Sequence, residues 1–154
     1  MNKNITHIIV HCSYTPPQMD IGAADIDRWH REKGWLMIGY SAVIKRDGTV
    51  EEGRPLHRTG AHVRGMNSKS RGICLIGGMT KSKHGPEVNY TDEQYASLRK
   101  LIDEWKEEHF PIAKVAGHTD FDKMKTCPNF DAGHWYETGN VISVIDYVAL
   151  IVSP

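Results

Sequence analysis

The stretch from Gly117 to Pro128, Gly-His-Thr-Asp-Phe-Asp-Lys-Met-Lys-Thr-Cys-Pro, places an imidazole and a thiol on one short polar loop. His118 stands at the end of an apolar run, and Cys127 follows nine positions later. Pro128 biases Cys127 toward extended backbone, which helps to hold the thiol in one direction. One imidazole and one thiolate are half of a zinc site. His11, at the polar end of the run Thr6–Ser13, is the candidate third ligand. Two neutral imidazoles and one thiolate leave a zinc ion with net charge +1. Three protein ligands leave a fourth position open for water, which is the pattern of a catalytic site. Such an ion lowers the pKa of water toward about 7 and polarises a carbonyl. The expected chemistry is hydrolysis of an amide or an ester. Lys125, two residues before Cys127, can bring an ammonium beside the ion, and Tyr40 can offer a phenol to an oxyanion. No carboxylate is equally well placed to act as a general base.

Other readings of the same residues stay open. A histidine is more often packed or solvated than bound to metal, and this chain has nine. The spacing between His118 and Cys127 matches no standard zinc signature. His-Glu-x-x-His and Pro-Cys-x-x-Cys are both missing, which argues against the common metalloproteases and the zinc deaminases. A Cys–His nucleophile pair built on Cys127 is the metal-free alternative.

The elements that must position these groups follow from patterning. Thr6–Ser13 reads as a central strand, apolar on both faces. Its period of two puts His7, Ile9 and His11 on one side and Ile8, Val10 and Cys12 on the other. Cys12 therefore cannot share a metal with His11 and is assigned to the core. His7 and His11 share a face, but four residues of strand separate them by roughly 13 Å. A helix is expected from Asp20 to Gly34, with Ala23, Ile26, Trp29 and His30 on its apolar stripe; His30 reads as a packed histidine. Tyr40–Glu51 reads as a hairpin turning at Asp47-Gly48. Gly72–Gly78 is a further buried strand with Cys74 in the core, and Met79–Tyr90 an exposed loop. Thr91-Asp-Glu-Gln94 is a capping box opening a helix whose stripe is Tyr95, Leu98, Leu101, Ile102 and Trp105. Ile112–Ala116 is the last strand, and Phe130–Glu137 a short helix or turn.

Composition bounds the rest. The chain has 154 residues, 40% hydrophobic and 25% charged, the profile of one globular domain. Nineteen basic residues balance nineteen acidic ones, so neither nucleic acid nor an anionic membrane is an expected partner. Three cysteines at irregular spacing suggest no disulfide framework. No run has the form of a signal peptide or a membrane anchor, so synthesis in the cytosol is expected. Charge is uneven locally: Arg54, Arg58, Arg64, Lys69 and Arg71 fall in one stretch without an acid, which suggests a groove for an anionic ligand.

Six ordered blocks then carry a resemblance. They are Ile-Ile-Val-His-Cys-Ser, Gly-Tyr-Ser-Ala-Val-Ile-Lys-Arg-Asp-Gly-Thr-Val, Gly-Ala-His-Val-Arg-Gly-Met-Asn, Gly-Ile-Cys-Leu-Ile-Gly-Gly, Gly-His-Thr-Asp and Lys-Thr-Cys-Pro-Asn-Phe-Asp. Over residues 6 to 136 the chain resembles the zinc N-acetylmuramoyl-L-alanine amidases, a family that includes the peptidoglycan recognition proteins, and among them the short phage endolysins. The resemblance implies an α/β fold: a single domain with a central mixed β-sheet flanked by α-helices. It implies one zinc ion held by His11, His118 and Cys127, with Tyr40 and Lys125 needed for activity. It also implies that His62 and Asn67 line the substrate groove. The implied reaction cleaves the amide between the lactyl group of N-acetylmuramic acid and L-alanine of the peptide stem. Stem carboxylates would suit the basic stretch. A phage endolysin of this kind is made in the host cytoplasm and reaches the wall after release; a monomer is expected. The alternative is a receptor on the same fold that binds peptidoglycan and cleaves nothing, but such members commonly lack the zinc cysteine. Two departures stand out: Arg71 replaces a residue that is normally apolar, and the tail 139–154, beyond a catalytic domain at 1–138, has no counterpart.

Overall fold

A computed structural model describes residues 4–145 of the chain. Five strands form one mixed sheet: β1 (His7–Cys12), β2 (Ala42–Ile44), β3 (Val50–Glu52), β4 (Ser70–Leu75) and β5 (Lys114–Gly117), in the order β3-β2-β4-β1-β5. β1 runs parallel to both β4 and β5, β2 parallel to β4, and β3 closes one edge antiparallel to β2. Central position explains why β1 carries no alternation of polar and apolar residues: both of its faces are covered. Among the described residues the helices are α1 (Ala23–Glu32), α2 (Asp92–Glu108) and α3 (Ala132–Thr138). This is the α/β fold with a central mixed sheet that the sequence led us to expect.

The two faces of the sheet are covered unequally. Ile8, Val10, Ile44, Ile73 and Leu75 pack with Leu98, Ile102 and Trp105 of α2 and Trp135 of α3 into the main core. On the other face, Val43, Cys74 and Ile76 pack under Ile26 of α1. His11 is in register with Cys74 and therefore belongs to this second face. One helix covers part of it, and the remainder is left to the loops that build the site.

Several boundaries move. α1 starts at Ala23 and not near Asp20, because Glu51 from β3 accepts the Ala23 N–H at 2.9 Å and Asp25 accepts that of Gly22 at 3.0 Å. β5 begins at Lys114, where pairing with His7 starts, and Ile112 before it is 55% exposed. The loop after β4 is not exposed throughout: Tyr90 at its end is buried. The capping box of α2 forms as expected, with Thr91 Oγ1 accepting the Gln94 N–H and Gln94 Oε1 accepting that of Thr91. No helix among the described residues is long and apolar enough to cross a membrane. The expected tail begins at 139; its residues up to 145 are described, and the rest lies outside the described residues. Residues 142–144 return to the segment after Cys127: Phe130 bridges Ser143, Asp131 N–H donates to Ile142 O at 2.9 Å, and Val144 N–H to Asn129 O at 3.0 Å.

Candidate metal centre and groove

His11, His118 and Cys127 converge. One ligand atom from each lies within 4.8 Å of the other two, and among the described residues they form the one such group of His, Cys, Asp and Glu side chains. With zinc–nitrogen and zinc–sulfur bonds of about 2.0–2.3 Å, a single ion touches all three after small side-chain shifts. His11 comes from the buried end of β1, and His118 opens a 3-10 turn, His118–Asp120, directly after β5. The neighbouring parallel strands bring these two histidines together, their ring centroids 4.8 Å apart.

Cys127 is held through both its backbone and its sulfur. Thr119 N–H donates to Cys127 O at 2.8 Å, and Cys12 N–H donates to Cys127 Sγ at 3.0 Å. The Cys127–Pro128 peptide is cis, and Tyr90 Oη donates to Pro128 O at 2.7 Å. Asn129, left-handed at φ 77°, donates from Nδ2 to Gly78 O and Glu87 O. Pro128 rests on Gly117, where a Cβ would meet its Cδ at 2.8 Å. Tyr90, Asn129 and Gly117 are thus part of the machinery that aims the thiol. Residue type alone does not mark any of them, because each acts through packing or a main-chain bond. Cys12 lies in the main core, as strand parity requires.

Burial sets the electrostatics. It holds the imidazoles of His11 and His118 below the ordinary histidine range, helped for His11 by neighbouring His62 and His118 and opposed for His118 by Asp122. Both are therefore neutral and can act as ligands near pH 7. Burial likewise pushes the Cys127 thiol well up in the metal-free chain. A bound divalent ion offsets that cost by displacing the proton and holding the sulfur as thiolate. The donor set and the geometry therefore fit zinc.

Two cavities meet at this point. One, about 710 Å³, is lined by Tyr40, His118, Lys125, Cys127 and Asn129 among others. Tyr40 stacks obliquely on His11 with ring centroids 4.9 Å apart, and burial raises its phenol well above the ordinary range. The second, about 610 Å³, lies on the other side of His118 and is lined by Trp35, His62, Arg64, Asn67, Phe121 and Asp122 among others. Asn67 Oδ1 accepts the N–H groups of His62 and Val63 at 2.8 and 2.9 Å.

The basic stretch is reduced by the fold. Arg54 spends its guanidinium on the carbonyls of Ile38, Met37 and Thr59. Arg71 is 3% exposed and donates to Leu56 O at 2.7 Å and Ser70 O at 2.8 Å. It also lies on the opposite face of β4 from His11, so it cannot line the groove. Of the five cations expected there, Arg64 lines the second cavity, and Arg58 and Lys69 are exposed.

Residues 1–130 match the family model described as N-acetylmuramoyl-L-alanine amidase. The chain belongs to that amidase family. The endolysin of Klebsiella phage KP32 is 43% identical over 141 residues, covering 92% of this chain and 91% of that one. Among solved structures, the endolysin N-acetylmuramoyl-L-alanine amidase LysCS from Clostridium intestinale superposes with a TM-score of 0.70 at 29% identity, covering 81% of this chain and 75% of that one. A tyrosine-to-phenylalanine mutant of Drosophila PGRP-LB in complex with tracheal cytotoxin superposes with a TM-score of 0.73 at 25% identity, covering 90% of this chain and 83% of that one. The three residues of the metal centre lie at or beyond the C-terminal ends of the parallel strands β1 and β5.

Proposed function

We propose that this amidase is a zinc-dependent phage endolysin that cleaves the bond between the lactyl group of N-acetylmuramic acid and L-alanine of the peptide stem. The observation that carries the reading is the convergence of His11, His118 and Cys127 at the junction of two cavities, with Tyr40 and Lys125 lining one of them. One zinc ion held by those three residues supplies Lewis acidity when bound, acidifying water and polarising the scissile carbonyl. The chain's own groups do the rest. Tyr40, kept protonated by burial, donates a hydrogen bond to the carbonyl oxygen as negative charge develops there. Lys125 places positive charge on the same side. The glycan and its stem lie along the joined cavities, passing His62 and Asn67, with Arg64 available to a stem carboxylate. The protein acts as a monomer on the host wall, after release from the cytoplasm in which it is made.

Purified protein should contain one zinc per chain. A chelator should abolish clearing of purified walls, and zinc should restore it. The products should carry new N-terminal L-alanine and no new reducing sugar ends. Full activity in the chelator, or new ends of another kind, would overturn the proposal.

A further inference from the structure

His62 is held in a way that groove lining does not require. Its Nδ1 lies 2.8 Å from Nε2 of His11, and its Nε2 lies 3.2 Å from Oγ of Ser70. Ser70 has one hydroxyl proton, and the Met66 carbonyl oxygen, 2.7 Å away, can only accept it. Ser70 Oγ is then left to accept from His62, so His62 carries its proton on Nε2. Its Nδ1 bears a lone pair and accepts the Nε2 proton of His11. A neutral imidazole has only one proton, so the lone pair of His11 is on Nδ1. The sense of the whole chain is thus fixed by one backbone carbonyl.

We infer that Ser70 and His62 form a positioning relay that locks His11 in the tautomer whose Nδ1 faces the metal. The inference rests on the zinc reading above. It is supported by the slot built for the His62 ring. A Cβ on Gly72 would lie 2.8 Å from His62 Nδ1, and one on Gly60 2.8 Å from its Cδ2, so both positions must be bare for the ring to enter. Asn67 fixes the backbone at the same residue through its two accepted N–H groups. Ser70 and His11, the two ends of the relay, are 0% and 1% exposed. A relay of this kind keeps the ligating nitrogen unprotonated and holds the ring in orientation, and loss of such an outer partner typically weakens metal binding about 10- to 100-fold.

The test combines zinc titration against a competing chelator with nitrogen NMR of the imidazoles in the zinc-loaded wild-type protein. The spectrum should show His11 metal-bound through Nδ1 and protonated on Nε2, and His62 protonated on Nε2. His62→Leu keeps bulk without an acceptor and should bind zinc about 10- to 100-fold more weakly. His62→Asn puts an amide oxygen near the place of Nδ1 and should recover most of that loss, a rescue that a purely space-filling role would not give. Wild-type affinity in His62→Leu, or His11 bound through Nε2, would overturn the relay while leaving the zinc reading intact. A wild-type protein that takes up no zinc would overturn both.

Discussion

Burial keeps the phenol of Tyr40 protonated far above its ordinary range, so in the proposed reaction its part is that of a hydrogen-bond donor and not of a base. Tyr40→Phe should retain a full complement of zinc, while kcat on purified walls falls about 10²- to 10³-fold, the usual cost of removing one donor to an oxyanion. Lys125→Ala should act in the same direction with zinc likewise retained; undiminished turnover in either variant would remove that side chain from the chemistry. Arg71 makes the opposite case. Its guanidinium is buried against the carbonyls of Leu56 and Ser70 on the far face of the sheet. Arg71→Leu should lower unfolding free energy by about 1–3 kcal/mol in denaturant titrations, with turnover per folded molecule little changed. The sequence could show a cluster of positive residues but not which guanidiniums would be consumed by main-chain oxygens, because that depends on loops brought together from far along the chain.

At the scale of elements, what was legible was what is local. The β1 strand with its parity, the hairpin turning at Asp47-Gly48 and the capping box of α2 each carry their signal within a few residues, and each forms. Strand parity alone separated His11 from Cys12 correctly. The start of α1 is not legible locally, because its first N–H groups are satisfied partly by Glu51, a residue of another element. Patterning marks the stretch ending at Tyr90 as exposed, because nothing in its own neighbourhood says that its hydroxyl reaches Pro128. His62 and Asn67 were legible only through family resemblance, and their hydrogen bonds not at all. One junction is especially tight: a Cβ at Gly39, just before Tyr40, would lie 1.9 Å from the carbonyl oxygen of Ala61. Backbone cannot retreat cheaply, so Gly39→Ala should cost about 1–3 kcal/mol or more. It should also disturb Tyr40 and His62 together, seen as lower thermal stability and lower specific activity in the same variant.

Taken as a whole, the molecule is a sheet with one well-covered face and one partly open face, and its stability should respond to both metal and acid. Zinc at a hundred times its dissociation constant adds about 2.7 kcal/mol, so stripping it should lower the melting temperature by about 5–10 °C for a chain of this size. Acid acts through the histidines that burial keeps neutral, among them His30, which is 8% exposed and accepts the Gly39 N–H on Nδ1 at 2.9 Å. Burial, with Lys33 and Arg54 adding to it, lowers its pKa to about 4 from 6.5. The unfolded chain therefore takes up this proton more readily than the folded one. The stabilisation is complete above about pH 6.5 and is lost as pH falls toward about 4. In metal-free protein, where His11, His62 and His118 are lowered in the same direction, His30→Asn should partly flatten the decline of melting temperature across that window, and an unchanged slope would exclude His30 as a contributor. The return of residues 142–144 to Asn129–Asp131 bears on how this enzyme can be engineered. Those main-chain bonds brace the Cys127 loop from behind, so a reporter or wall-targeting module spliced in straight after α3 would loosen the thiol proposed to hold the ion without touching the groove.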